Sequence, residues 1–323
     1  MAQPAPGKSY REGMTLVEVI QRFSDEREAE RWFVETRWPN GVLCAFCGNA
    51  DNVVERKNRK PQPYHCKDCR KDFSVKTNTL MHGSKLSLGT WAIAYFLLTT
   101  NLKGVSSMKL HRDLGVTQKT AWHLAHRIRE TWQDQQEKFE GPVEVDETFM
   151  GGKERNKHAD KKLKAGRGAV GKVAVIGAKD RKSNRVNADV IEEVDGETLK
   201  GFVAETASEG ATVYTDDHRG YQGMTGFDHE SVKHSVGEYV REQAHTNGIE
   251  SFWAGLKRGY EGTYHKMSKK HLGRYVTEFS GRHNDRKEDT IEQMRRMVKG
   301  VGGKRLRFVD LTAKEARAGS DVF

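Results

Sequence analysis

Four cysteines in two C-x2-C pairs constrain this chain more than any other feature of its sequence. The pairs are "CAFC" at 44–47 and "CKDC" at 66–69, with residues 48–65 between them. Two close thiolate pairs at this spacing can wrap one tetrahedral Zn²⁺. The sequence therefore predicts a zinc ribbon over residues 41–84, with one structural zinc per chain held by Cys44, Cys47, Cys66 and Cys69.

Other interpretations of the cysteines remain open at this stage. The thiols could form a redox pair or be unrelated to one another, and His65, next to Cys66, is an alternative ligand. The first 30 residues lack the apolar core of a signal peptide, so we expect no secretion. A long, non-secreted chain favours a metal site over disulfides.

The charge balance indicates the kind of partner. The chain has 323 residues and a formal net charge of +10, from 55 Lys and Arg against 45 Asp and Glu. Such an excess favours a polyanion, most commonly nucleic acid, although a soluble basic protein without that partner has the same composition. The longest apolar run, at 91–98, is too short to span a bilayer, so no membrane association is expected.

The region before the strands has a helical pattern. Residues 1–40 comprise a leader and N-terminal helices, with Ser24 as the predicted cap of the second helix. After the zinc ribbon, residues 86–101 predict a buried helix. We assign residues 85–135 to a helix-turn-helix-like DNA-binding block.

Within this block, the segment at 106–130 supports the helix-turn-helix interpretation. A helix at 108–114 is followed by a turn at Gly115, and Thr117 caps a second helix. Base contacts are usually made near the start of the second helix, which predicts a DNA-binding set. That set is Gln118, Lys119, Thr120, Trp122 and His123. A plain helical hairpin is the alternative.

From residue 140 the pattern changes to alternating strands and helices. Predicted strands lie at 142–150, 172–180, 185–194 and 211–217, and predicted helices at 196–207, 245–258 and 269–286. This order is typical of a mixed α/β domain, which we place at 140–290. The basic tail at 291–323 has no clear assignment. The predicted fold class is thus α+β and multidomain.

Acidic residues occur at three places in this domain. Asp146 lies in "VEVDETFMGGK", Asp216 ends the strand in "VYTDDHRGY", and Glu250 lies in "HTNGIESFWAGLKRGY". Lys257 follows Glu250 by nearly two helical turns and so shares its face. Three carboxylates on separate elements predict a site for divalent ions, and two Mg²⁺ ions can promote phosphodiester transfer.

These three motifs, together with the cysteine pairs, resemble the DDE transposases of bacterial insertion sequences. The most similar group carries an N-terminal zinc ribbon before a ribonuclease-H-like catalytic domain, and the resemblance covers residues 20–290. It implies catalytic Mg²⁺ or Mn²⁺ and cut-and-join chemistry on transposon ends. The residues that match the catalytic positions of this family are Asp146, Asp216, Glu250 and Lys257.

Two positions have alternatives. Asp217 could replace Asp216 as a ligand, but the frame T-D-x-x-x-x-Y from Thr215 to Tyr221 favours Asp216. Asn247 lies one turn before Glu250 and is the alternative third ligand. Glu250 is favoured because a carboxylate binds a hard cation better than an amide does.

A basic segment at 151–172 adjoins Asp146 in sequence. Its basic side chains are predicted to contact DNA phosphates. They include Lys153, Arg155, Lys161 and Lys162. The alternative is a solvated loop without a DNA contact.

The sequence thus predicts a transposase that binds terminal inverted repeats and catalyses metal-dependent cleavage and strand transfer. The expected partner is double-stranded DNA, both transposon ends and target, bound by a homo-oligomer in the bacterial cytoplasm at the nucleoid. The alternatives are a ribonuclease-H-like nuclease without strand transfer, and a zinc-ribbon regulator with an inactive acidic domain.

Overall fold

The protein divides into two compact units. The computed structural model describes residues 13–56, 58, 60–133, 137–152, 170–232 and 245–313. One unit comprises residues 1–132 and 285–323, and the other comprises residues 133–284. Within the described residues, no helix has the length and apolar character needed to cross a membrane.

Two short helices open the first unit. α1 spans Leu16–Arg22 and begins with a capping box between Thr15 and Glu18. α2 spans Glu26–Arg37 and is capped by Asp25, whose side chain accepts a hydrogen bond from the Arg27 amide. The prediction of Ser24 as this cap is wrong. The helix begins one residue later than expected, and the Ser24 hydroxyl donates to the Gln21 carbonyl instead.

The cysteine segment forms a small antiparallel sheet. Among the described residues, its strands are β1 (Val53–Glu55), β2 (Tyr64–Cys66) and β3 (Asp72–Phe73), in the order β1-β2-β3. Trp38, Tyr64 and Phe73 pack together beneath it, with ring centroids 5.5–6.0 Å apart. These rings and Cys66 belong to the same hydrophobic core as the helices of the first unit.

Helices occupy the segment of the predicted buried helix and both helical segments of the predicted helix-turn-helix pattern. α3 spans Leu88–Thr100, is capped by Ser87 and is buried over most of its length. α4 (Ser107–Leu114) ends at Gly115, whose φ of 63° is the left-handed conformation that glycine adopts readily. Thr117 caps α5 (Gln118–Arg129), which buries Ala121, Leu124 and Ile128 as predicted.

The second unit is built on a mixed sheet. Among its described residues, the strands are β4 (Val143–Met150), β5 (Val173–Asp180), β6 (Val186–Ile191), β7 (Thr212–Asp216) and β8 (Asp228–Val232). Their order is β6-β5-β4-β7-β8. β5 is antiparallel to β4 and β6, whereas β4, β7 and β8 run parallel. The first four strands were predicted and β8 was not.

Helices pack on both faces of this sheet. α6 (Gly196–Thr206) shares a core with Val143, Val145 and Ile176. α7 (Asn247–Gly259) and α8 (Leu272–Asp285) share another core with Val175. Adjacent strand residues face opposite sides, so Val175 and Ile176 assign α7 and α8 to the face opposite α6.

The last described segment returns to the first unit. α9 (Thr290–Lys299) buries Ile291, Met294, Met297 and Val298 in the core that contains α2 and α3. A backbone bridge joins Thr79 to Gly302, and α10 (Phe308–Thr312) follows. The described part of the tail is therefore a structural component of the first unit.

Candidate active site and metal centre

The four cysteine thiols converge on one point in the ribbon. The Sγ atoms of Cys44 and Cys69 are 3.6 Å apart, and those of Cys47 and Cys66 are 3.7 Å apart. All four lie within 4.8 Å of one another. A tetrahedral Zn²⁺ with Zn–S bonds of about 2.3 Å places its sulfurs about 3.8 Å apart. The thiols therefore fit a single structural zinc.

His65 is held by another partner. Its Nδ1 lies 2.7 Å from Oδ1 of Asp72 on the neighbouring strand. Among the described residues, the metal-binding group at this site comprises the four cysteines and does not include His65. The imidazole thus supports the ribbon, and the ligand set is that of four thiolates.

A second group of ligands lies at the adjoining strands β4 and β7. Carboxylate oxygens of Asp146, Glu147 and Asp216 all lie within 4.8 Å of one another. The parallel register pairs Val143 with Val213, so the same offset brings Asp146 level with Asp216. The sheet thus unites two acids that are 70 positions apart in the sequence.

Asp146 is placed by the helix that packs over it. The Trp253 indole Nε1 on α7 donates to Asp146 Oδ2 over 3.0 Å. Gly177 lies opposite Asp146 on β5, and a Cβ there would come within 2.6 Å of the indole. The missing side chain at Gly177 therefore makes room for the ring that orients Asp146.

Burial and neighbouring charge keep Asp146 easily protonated. Burial, followed by the charge of Asp216, raises the pKa of Asp146 to about 6, against the lowering effects of the Glu147 backbone hydrogen bond and the Trp253 hydrogen bond. Glu250 contributes a smaller repulsion of the same sign. Such mutual repulsion favours binding of a cation between the acids.

Glu147 is the carboxylate that the sequence reasoning missed. Its Oε1 accepts a hydrogen bond from the Tyr221 hydroxyl. Burial, together with the charges of Asp216 and Asp146, raises the pKa of Glu147 to about 7, against the lowering effect of the Tyr221 hydrogen bond. Strand alternation places adjacent side chains on opposite faces, which argues against grouping Glu147 with Asp146. The one sequence signal for Glu147 is its position next to Asp146 in "VDET".

Glu144 fixes the start of α7 against the sheet. This carboxylate is 1% exposed and accepts the Ile249 amide over 3.0 Å. It also pairs with the Arg181 guanidinium over 2.7 Å, and Arg181 donates to the His245 carbonyl over 2.6 Å. Because an acid at a helix N-terminus satisfies unpaired amides, Glu144 anchors the turn that carries Glu250.

The predicted residues of α7 have the following positions. Asn247 is its first residue, Glu250 lies in the first turn and Lys257 in the last, and all three are exposed. The Thr246 hydroxyl lies 3.4 Å from Glu250 Oε1. Glu250 is close enough to affect Asp146 electrostatically but is not in the tight carboxylate group.

The two adjacent aspartates on β7 differ in environment. Asp216 is half-buried within the carboxylate group, and its Oδ1 accepts the His218 amide over 3.1 Å. Asp217 is exposed and lies outside that group. The geometry therefore favours Asp216 as the ligand.

The predicted DNA-reading side chains on α5 have two kinds of environment. Gln118 and Lys119 are exposed on the first turn, beside the half-buried Thr120. Trp122 and His123 pack edge-on against Phe308 of α10, at 6.1 Å and 5.6 Å between centroids, and the Lys119 ammonium also lies 4.3 Å from the centroid of this ring. The basic side chains predicted at Lys153, Arg155, Lys161 and Lys162 lie outside the described residues.

The order of the sheet strands and the paired aspartates at β4 and β7 define the second unit as a ribonuclease-H-like domain, preceded in the chain by a zinc ribbon. Residues 138–284 match the ISXO2-like transposase domain, and residues 24–72 match the transposase zinc-ribbon domain. The chain therefore belongs to the ISXO2-like transposases.

A relative from a transposable element supports this assignment. The chain is 30% identical over 275 residues to the "uncharacterized protein in transposable element ISH50" of Halobacterium salinarum. The match covers 80% of this chain and 91% of the relative.

Proposed function

We propose that this transposase binds the terminal inverted repeats of its element, cleaves them in a metal-dependent reaction and joins the ends to target DNA. The observation that carries the proposal is the convergence of Asp146 and Asp216 on adjoining strands. Carboxylates concentrated at one point fit hard divalent cations, which bind oxygen ligands.

We assign the catalytic ions to Asp146, Asp216 and Glu250. Glu147 is a fourth carboxylate, which Tyr221 holds beside Asp146 and Asp216. Two Mg²⁺ or Mn²⁺ ions bound here would activate the attacking oxygen and stabilise the leaving oxygen of a phosphodiester. The acidic donor set suits these ions, as sulfur or imidazole ligands would not.

Neighbouring groups of the chain position this site. The Trp253 indole keeps one oxygen of Asp146 oriented, and the Glu144 carboxylate anchors the helix that presents Glu250. Lys257 lies two turns beyond Glu250 on the same helix, where we assign it to a DNA phosphate near the reacting bond.

We assign recognition of the transposon ends to the first unit. Gln118 and Lys119 lie on the exposed first turn of α5, where a helix-turn-helix motif contacts bases. Thr120 completes this surface, while Trp122 and His123 hold the helix through Phe308. The zinc holds the ribbon fold, and the basic segment at 151–172 neutralises DNA phosphates.

Two further expectations concern assembly and location. Joining two ends requires both to be held together, so we propose that the protein acts as a homo-oligomer on DNA. Its substrate is chromosomal DNA, so we expect it to act in the cytoplasm, at the nucleoid.

Nicking of labelled end DNA in Mg²⁺ tests this assignment. Asp146→Asn, Asp216→Asn and Glu250→Gln should each abolish cleavage while leaving end binding intact, because they remove charge and keep size. Asp217→Asn is the matched control and should cleave normally. Glu147→Gln shows whether the fourth carboxylate also holds an ion.

The outcomes separate the proposal from other functions. Normal cleavage by Asp146→Asn, Asp216→Asn and Glu250→Gln would contradict the catalytic assignment. A wild-type protein that binds the ends and never nicks them would be a regulator. Nicking without any joined product would identify a nuclease.

A further inference from the structure

A segment of the chain that follows α9 lies along the helix α5 in the first unit. At the end of α5, the Lys304 ammonium donates to the Glu130 carbonyl over 2.9 Å. Near the middle of the helix, the Nε2 atom of His123 lies 3.0 Å from the Leu306 carbonyl oxygen. We call residues 304–308 the C-terminal strap. It runs along α5 in the direction opposite to that of the helix.

The strap covers part of the predicted DNA-contacting face of α5. Its last residue, Phe308, packs edge-on against Trp122 and His123, and the Lys119 ammonium lies over its ring at 4.3 Å. The four residue steps of the strap span about 13 Å when extended. The 12 residues of α5 are about 18 Å long, so the strap follows most of this side of the helix. DNA that approaches this side therefore meets the strap before it meets Trp122 or His123.

The strap has an apolar side and a basic side. Leu306 is buried in the core of the first unit, and Phe308 is partly buried against α5. Arg305 and Arg307 alternate with these two residues and are exposed. Arg307 has a φ of −84° and a ψ of 150°, an extended conformation, and an extended chain directs successive side chains to opposite sides. The strap therefore presents its two arginines away from α5.

The Arg307 guanidinium is held by a neighbouring acid at the surface. Its Nε and Nη2 atoms donate to the two carboxylate oxygens of Asp310 over 2.7 Å and 2.8 Å. The two side chains are 45% and 33% exposed. An ion pair this exposed contributes little to stability. The pairing thus orients the guanidinium at the surface, and its exchange for a DNA phosphate costs little.

Positive charge is concentrated where Arg305 lies. Burial, followed by the charges of Arg305 and Arg127, lowers the pKa of His82. The Arg127 guanidinium donates to the His82 carbonyl over 2.8 Å and to the Leu306 carbonyl over 3.3 Å, which places it beside the strap. Like charges held close together at a surface favour the binding of a polyanion.

We propose that the C-terminal strap is part of the surface that binds the transposon end. Arg305 and Arg307 contact phosphates that border the groove entered by α5. Lys119, which lies over the Phe308 ring, belongs to the same surface. The inference rests on the proposed function, because α5 is assigned there to the transposon ends. Phosphate contacts fix the register of a protein on the duplex and carry no sequence information themselves.

Fluorescence anisotropy of the full-length protein with labelled DNA tests this assignment. The probes are the end duplex and a shuffled duplex of the same length and composition, in buffer without Mg²⁺ so that the DNA stays intact. The double variant Arg305→Ala/Arg307→Ala should bind both duplexes at least about tenfold more weakly at about 0.1 M salt. It should also reduce the slope of log binding constant against log salt concentration by about two, because each phosphate contact contributes about 0.9.

Two further double variants serve as controls for this effect. Arg27→Ala/Arg31→Ala removes the same charge from exposed positions of α2 and should leave the salt slope nearly unchanged. Arg305→Lys/Arg307→Lys keeps the charge and loses the fork that pairs with Asp310, so it should retain most of the affinity. A lysine variant as weak as the alanine variant would overturn the inference, because the arginines would then be structural. An equal loss in the α2 variant would overturn it as well, because only net charge would matter.

Comparison of the two duplexes separates this inference from the proposed function. Unchanged affinity and slope in Arg305→Ala/Arg307→Ala, with a wild-type protein that prefers the end duplex, would overturn the strap assignment alone. Binding that depends on the strap but shows no preference for the end duplex would leave the strap assignment standing and count against the proposed function. A wild-type protein that binds neither duplex would contradict both.

Discussion

Replacing Asp146 by Asn should stabilise the protein in the absence of Mg²⁺, although it should abolish catalysis. Burial, followed by the charge of Asp216, raises the pKa of Asp146 from 3.8 to about 6. The charged carboxylate is therefore unfavourable in the folded state above pH 6. Asn keeps an oxygen that can accept from the Trp253 indole and removes the charge.

The sign and size of the effect follow from proton linkage. Between pH 3.8 and 6 the folded protein binds more protons at Asp146 than the unfolded chain, so wild-type stability falls as the pH rises. The raised pKa of Asp146 lowers the free energy of unfolding by about 3 kcal/mol above pH 6 and by about 1 kcal/mol at pH 4.5. The advantage of Asp146→Asn over wild type should therefore be about 2 kcal/mol larger at pH 7 than at pH 4.5.

Thermal unfolding in Mg²⁺-free buffer measures this difference. A gain of 2 kcal/mol corresponds to about 4–8 °C in Tm for a domain of this size. Each variant is compared with wild type at the same pH, so any loss of thiolate-bound zinc in acid affects both proteins. Asp217→Asn, at an exposed neighbour, should show little change. An Asp146→Asn variant that is destabilised equally at both pH values would refute the reasoning, because Asp146 would then be a structural hydrogen-bond acceptor.

Three further predictions concern other parts of the molecule. Cys69→Ser should release about one zinc per chain, measured by elemental analysis, and should unfold the ribbon, because zinc binding supplies folding free energy. Full zinc retention would contradict the four-thiolate site. Gly177→Ala should displace the Trp253 indole and lower the cleavage rate at least tenfold, with end binding unchanged. Gly255→Ala is the control and should cleave normally, because a Cβ there meets open space. Equal cleavage rates of the two variants would show that the indole does not position Asp146. Gln118→Ala and Lys119→Ala should weaken binding to the element's ends. If Lys119 contacts a phosphate, Lys119→Ala should also reduce the slope of log binding constant against log salt concentration by about one. Unchanged footprints with both variants would place end recognition elsewhere.

Local sequence signals predicted the elements whose causes are local. Thr117 is a cap followed by an apolar helical face, and Gly115 is a residue suited to the left-handed turn, so α4 and α5 were predictable. The strand that carries Asp146 was predictable because Val143 and Val145 alternate with acidic residues, which places the two valines on one face.

Elements fixed by distant contacts were not predictable in this way. β8, with the sequence "DHESV", is polar and lacks a hydrophobic pattern, and its pairing with β7 makes it a strand. α9 is strongly amphipathic, but its sequence does not show that its apolar face packs in the first unit.

In the candidate site, too, some residues were identified from the sequence and others only from contacts between distant parts of the chain. The resemblance to a known family assigned Asp146 and Asp216, and the β4–β7 register explains how they meet. Glu147 and Trp253 required the structure, because one depends on the Tyr221 hydroxyl and the other on the space above Gly177. Contacts of this kind join residues far apart in the chain and leave no periodic signal.

The joining reaction tests the central claim most directly. Purified protein is incubated with Mg²⁺, target plasmid and duplexes of its own element's ends, and the products are sequenced across the junctions. We predict end-to-target junctions that require a free 3′-hydroxyl on the end and disappear with Asp216→Asn. Junctions that form equally well with Asp216→Asn, or cleaved ends that never join under any of these conditions, would contradict the account.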